Sequence, residues 1–145
     1  MNLLDSDLPF KHILDLSKVY GEDNFGPKIS FRIVSENFIA ANNGIYIIVQ
    51  GQERKIMYCG MCGTRSFRNS LLFNNTDDLH FHNQERIRSL IGAAIGEGIE
   101  VHAQTEEVLR RHLASKSVSP ANLKTLNFIK KVIIDRTDPP WNRKT

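Results

Sequence analysis

Apolar positions along the chain recur with two periods, and each period predicts a set of elements. Spacing of three and four marks Phe10, Ile13, Leu14, Leu16 and Val19; entered at Asp5-Ser6 and Leu8-Pro9 and closed by Gly21, they predict an amphipathic N-terminal helix. The same period in Ile87, Leu90, Ile91, Ala94 and Ile95 predicts a core-facing stripe on a helix over 83–95, with Glu85, Arg86 and Arg88 opposite. Arg65 to Phe73 is a shorter helical candidate, and Thr105-Glu106-Glu107 offers an N-cap with acids in the first turn of another helix. Leu123, Leu126, Ile129, Ile133 and Ile134 predict a last helix opened by Pro120 and stopped by Thr137-Asp138-Pro139-Pro140. Alternation instead predicts strands at Ile29–Val34, Ile45–Val49, Lys55–Cys59 and Ile99–Ala103, with Gly21–Lys28 a loop and Asn42-Asn43-Gly44 a turn.

Ile45–Val49 and Lys55–Cys59, separated by Gly51 to Arg54, have the form of a hairpin that Ile99–Ala103 joins. The expected class is α/β in the α+β sense: a small, mainly antiparallel three-stranded sheet flanked by helices. Residues 1–40 would add a helix-and-strand extension to a main domain over 41–145, packed as one unit.

Composition narrows the class without deciding the chemistry. With 145 residues, 41% hydrophobic and 24% charged, the chain suits one ordinary domain and excludes a fibre or a disordered tail. Lys+Arg 19 against Asp+Glu 16 gives +3, which permits DNA as a partner but does not require it. No apolar run approaches the roughly twenty residues a membrane span needs, and Asp5 and Asp7 stand where a signal peptide carries cations, so a cytoplasmic protein with no membrane partner is expected. Only Cys59 and Cys62 are present, which excludes a disulfide-stapled scaffold.

Candidate chemistry begins with the two strand tyrosines. If Gln50 pairs with Arg54, Tyr46 falls opposite Tyr58, and cross-strand partners hold their Cβ atoms about 4.5–5.5 Å apart on one face. Ile45, Ile47 and Val49 then face a buried core on the other side. Tyrosine is also simply a good strand former. A second constellation, Cys59-Gly60-Met61-Cys62 with His80 and His82 downstream, admits a zinc site, a redox dithiol or two packing cysteines. His102, pointing away from Val101, is expected to be exposed on the sheet's ligand face. Pro139-Pro140-Trp141 is either a ligand for a partner domain or a tail that packs back on the fold.

Gly44-Ile45-Tyr46, Tyr58-Cys59-Gly60, Arg68 ten residues past Tyr58, and Pro139-Pro140-Trp141-Asn142 together resemble the GIY-YIG nuclease family, over Gly44 to Asn142. The resemblance implies a GIY-YIG-like endonuclease that hydrolyses DNA phosphodiester bonds with Mg²⁺ or Mn²⁺. Tyr46 would be the general base, which demands a phenol shifted well below its reference pKa of about 10. Tyr58 would position the water or the phosphate, Arg68 would stabilise the transition-state charge, Asn142 would orient groups, and Gly60 and Lys130 would contact substrate. The family's metal-binding Glu aligns with Lys130, a donor-only cation that cannot ligate a hard ion. Lys130 would then point at the tyrosine face and hold a phosphate, with Glu106 or Glu107 as the candidate carboxylate. The alternatives are a catalytically inactive relative that binds nucleic acid or protein, and a CxxC zinc or redox protein.

Overall fold

The computed structural model describes residues 1–24, 26–72 and 85–142, and within them the β-branched and aromatic runs assemble into one antiparallel sheet. Its strands are β1 (Lys11–Asp23), β2 (Gly26–Ile33), β3 (Asn42–Gln50), β4 (Lys55–Ser66) and β5 (Ile99–Thr105), in spatial order β2-β1-β5-β3-β4. The helices are α1 (Leu3–Ser6), α2 (Glu36–Ile39), α3 (Phe67–Leu71), α4 (Glu85–Ala94), α5 (Glu106–Ser115) and α6 (Leu126–Thr137). The class is α+β as expected, but the sheet has five strands rather than three. The two extra strands come from residues 1–40, which join the sheet through the β1–β5 ladder.

The predicted N-terminal helix is therefore a correction: Lys11–Asp23 is a strand. Its ladders slip between His12 and Leu14, between Leu16 and Lys18, and between Val19 and Gly21. Each bulge inserts a residue into the period of two, so apolar positions 13, 14 and 16 imitate a helical spacing while lying in a strand. Asn42-Asn43-Gly44 likewise opens β3 instead of forming a free turn; Asn43 adopts φ 52° where the β3–β4 register shifts. Arg65 belongs to β4, and α3 begins two residues later with Ser66 Oγ accepting from the Asn69 N–H. Phe73 and Asn83, the expected helix ends, lie outside the described residues. Pro120 opens only a 3₁₀ turn, Pro120–Leu123. The helix α6 starts later, where Thr125 Oγ1 accepts from the Phe128 N–H at 3.2 Å, and it stops at Asp138 in the left-handed conformation.

Helices pack on both faces of the sheet, and on the second face they lie over β3, β4 and β5. Tyr46, Ile48, Tyr58, Val101, Ala103, Leu14 and Leu16 pack with Phe67 and Leu71 of α3 and with Ile87 and Ile91 of α4. On the second face Ile45, Ile47, Val49 and Cys59 pack with Leu109 and Leu113 of α5 and with Ile129 and Ile133 of α6. At about 1.5–3 kcal/mol for each large aliphatic side chain withdrawn from water, these clusters supply the main term holding helices to sheet. Among the described residues no helix is long and apolar enough to cross a membrane.

Arg88 departs from its expected place opposite the apolar stripe, because it is completely buried. Its guanidinium donates to Asp23 Oδ2 at 3.0 Å and, through Nε and one amino group, to the Pro27 carbonyl at 3.1 and 2.8 Å. These contacts fasten α4 to the β1–β2 connection, and the charge is tolerated because it is paired. Arg88→Ala leaves both acceptors uncompensated and is expected to cost about 3–5 kcal/mol by urea unfolding. Arg88→Lys should recover only part of that, since one ammonium does not reproduce the planar fork.

Candidate functional site

The tyrosine pair is set by the β3–β4 hairpin. Gln50 pairs with Lys55, not Arg54, so the connection is one residue longer than expected. A bulge then lets Val49 pair with Ile56 and Ile48 with Tyr58, which shifts the register by one more. One slip would send Tyr58 to the other face; two slips return it. Tyr46 therefore sits opposite Gly60, diagonal to Tyr58 on the same face, with ring centroids 6.1 Å apart.

Both rings face inward. Tyr46 is 1% exposed and Tyr58 is also buried. A Cβ on Gly60 would lie 2.3 to 2.7 Å from atoms of the Tyr46 ring, so the glycine is the slot that receives the phenol. A Cβ on Gly44 would lie 2.2 Å from the Phe67 ring in the same way. The glycines of both short motifs thus have a packing role. Burial, followed by the neighbouring Tyr58 and the two thiols, pushes the Tyr46 phenol well above its usual 10, opposite to the direction a general base requires.

The other candidate residues disperse. Arg68 lies on α3, beside the tyrosine core, with its guanidinium exposed and 4.0 Å from Glu36 Oε2. Lys130 does not point at the tyrosine face: α6 covers the second face, and the half-buried Lys130 acts on the Cys59 thiol there. Glu106 and Glu107 start α5, which covers that second face too. They pair within their own helix, with Arg110 at 2.6 Å and Arg111 at 3.8 Å. Lys130, Glu106 and Glu107 therefore do not fit the Mg²⁺ or Mn²⁺ site that the resemblance implies.

Asn142 has a different partner. Its side-chain oxygen accepts from the Cys59 N–H at 2.8 Å and its amide nitrogen donates to the Cys59 carbonyl at 2.9 Å. The Trp141 N–H donates to the Met57 carbonyl at 2.8 Å, and Arg86 donates to the Trp141 carbonyl at 2.6 Å. Pro139-Pro140-Trp141-Asn142 packs back along the outer edge of β4, with Trp141 in the tyrosine-face core. The CxxC is equally structural in placement. Because Cys59 pairs with Ile47 and Cys62 with Gly44 on one strand, the two thiols face opposite cores and share neither a disulfide nor a ligand position. His80 and His82 lie outside the described residues.

One cluster escaped the sequence pattern. His12, Glu100 and His102 bring potential ligand atoms within 4.8 Å of one another on the second face, with Asp15 beside them. His102 is buried rather than exposed. Glu100-x-His102 on a strand was the legible half, since alternate residues share a face. His12 and Asp15 share a face only because of the bulge between His12 and Leu14. No family model matches this chain, and comparison with curated proteins and with solved structures finds no match.

Two outcomes are expected. Gly60→Ala should destabilise by about 1–3 kcal/mol, and Tyr46→Leu in the same chain should offset part of that loss, a non-additivity that a denaturation cycle measures. Burial raises Cys59 from 9.0 to about 12 and Cys62 from 9.0 to about 11, so a thiol reagent at neutral pH should label neither until the chain unfolds. Because the folded state keeps these protons after the unfolded state has released them, stability falls with rising pH. The loss starts near the thiols' unfolded value of 9.0 and continues as the phenol passes 10.0. Cys59→Ser with Cys62→Ser should flatten the first part of that decline.

Proposed function

We propose that this chain is a GIY-YIG-like module that holds DNA by its phosphate backbone without cutting it. The observation that carries this reading is the sealed phenol of Tyr46. A general base must reach the proton it abstracts, whereas this hydroxyl is withdrawn over Gly60 and held neutral. Lys130 in place of the family's glutamate works in the same direction, since it removes a ligand for a hard cation.

Cation placement supports DNA as the partner. Arg65 at the end of β4 and Arg68 at the start of α3 are exposed, three residues apart, where the strand leaves the sheet. Guanidinium groups so presented suit phosphate oxygens, which they bind through paired donors. The chain's +3 charge assists approach.

Fluorescence anisotropy with a short duplex is expected to give an affinity whose logarithm falls linearly with log salt. Arg65→Ala and Arg68→Ala should each reduce that slope by about 1. Supercoiled plasmid incubated with Mg²⁺ or Mn²⁺ should stay intact, and Lys130→Glu should not create nicking. Metal-dependent nicking by the unmodified chain that disappears in Tyr46→Phe would restore the endonuclease reading. Absence of salt-dependent binding would remove DNA and leave a protein ligand.

A further inference from the structure

The centre of the second sheet face carries a polar group that packing alone does not explain. Asp15 pairs across the ladder with Glu100 and His12 with His102, so four side chains from β1 and β5 project together. The two imidazole rings stack with centroids 4.7 Å apart and planes 10° from parallel. Both Nε2 atoms turn toward one oxygen: Glu100 Oε1 lies 2.8 Å from that of His102 and 3.7 Å from that of His12. The His12 Nε2 also lies 2.6 Å from Asp15 Oδ1. Ligands bound tetrahedrally at about 2.0–2.1 Å stand about 3.4 Å from one another. The two histidine–glutamate separations bracket that value, and all three ligand atoms lie within 4.8 Å of one another, so side-chain adjustment alone would draw them onto one ion.

We propose that His12, Glu100 and His102 form a binding site for a single divalent transition ion of the zinc type. The donor set selects the class. Two neutral imidazoles and one carboxylate suit Zn²⁺ and its neighbours, whereas Mg²⁺ and Ca²⁺ prefer oxygen throughout. Three protein ligands leave a fourth position for water. Asp15 and Glu100 also line a cavity of about 460 Å³ with Gly51, Arg54, Glu97 and Gly98, which gives the ion a path from solvent.

The surroundings set the strength. Asp15 Oδ2 is anchored by Arg32 at 2.5 Å, which leaves Oδ1 beside His12 to add negative charge near the ion. Arg54 Nε donates to Glu100 Oε1 at 3.0 Å and so competes with a metal for that oxygen. His102 Nδ1 is buried without a hydrogen-bond partner among the described residues. It must carry the ring proton once Nε2 binds metal, and the missing outer-shell acceptor weakens binding about 10- to 100-fold relative to a fully supported site.

The test is titration of chelator-treated full-length protein with Co²⁺, followed by its visible d–d absorption, and displacement by Zn²⁺. One equivalent should bind saturably, without the intense ultraviolet band of a cobalt thiolate, and excess Mg²⁺ should not compete. His12→Ala should weaken Co²⁺ binding by at least about 100-fold, beyond the usual outer-shell loss. Arg54→Gln, on the exposed side of the cluster, should tighten it several-fold, an effect that a merely structural cluster would not produce. Should His102→Ala fail to fold, His12→Ala and Arg54→Gln decide the matter, each checked for native thermal unfolding. The proposal is overturned by absence of saturable binding, by binding indifferent to His12→Ala, or by binding lost instead in Cys59→Ser, in His80→Ala or in His82→Ala.

Discussion

β5 is hydrogen-bonded on both sides, to β1 and to β3, and this double pairing fixes the position of every other element. Val101 stands between Leu14 on β1 and Ile48 on β3, in one continuous row across the sheet. The alternation of β5 then assigns its neighbours without freedom: Ile99, Val101 and Ala103 enter the tyrosine core, while Glu100, His102 and Gln104 face the other way. Gln104 Nε2 donates to the Pro9 carbonyl at 2.6 Å, tying the N-terminal segment to this same strand. Shifting β5 by one residue would place Glu100 and His102 in the apolar core.

The tyrosine face and the histidine face answer to different demands. On the first, large rings fill the space left by absent side chains at Gly44 and Gly60, and density is the result. A hydroxyl so enclosed acts through packing and local hydrogen bonding more than through exchange with solvent. On the second, carboxylates and imidazoles gather beside a cavity, with Arg32 and Arg54 balancing Asp15 and Glu100. Burial alone would raise both carboxyls, yet the hydrogen bonds and charges around them hold each below its ordinary range. Polarity concentrates there, in a place the tyrosine motifs do not mark.

Much of the architecture could be read from periodicity, because the strands of the hairpin and β5 keep clean alternation and α4 keeps its stripe. The parts that could not be read share one physical cause. Bulges in β1 moved an apolar residue out of phase, which made a strand look helical and hid the alignment of His12 with Asp15. The tyrosines landed on one face although their register was off by two, because face depends only on whether the shift is odd or even. Long-range matters stayed silent: the burial of Arg88 follows from Asp23 and Pro27, which lie 65 and 61 positions away. The side of the sheet that α6 would choose, and with it the place of Lys130, follows from how the helices share the two faces. No local pattern encodes that choice.

The bonds from Trp141 and Asn142 to Met57 and Cys59 also have a temporal meaning. Asn142 lies 83 residues beyond the backbone it covers. At a synthesis rate of about 5–20 residues per second, the β3–β4 hairpin emerges from the ribosome on the order of ten seconds before its edge can be fully covered. Residues 1 to 3 already cover the start of that edge, where Asn2 bridges to Lys55 and the Ile56 N–H donates to the Met1 carbonyl. Throughout that interval, however, the stretch from Met57 to Cys59 offers bare donors and acceptors to any strand nearby, including another nascent copy. The late-arriving segment therefore acts as a closing latch, and the chain's exposure to mispairing is governed by how soon residues 141 and 142 are made.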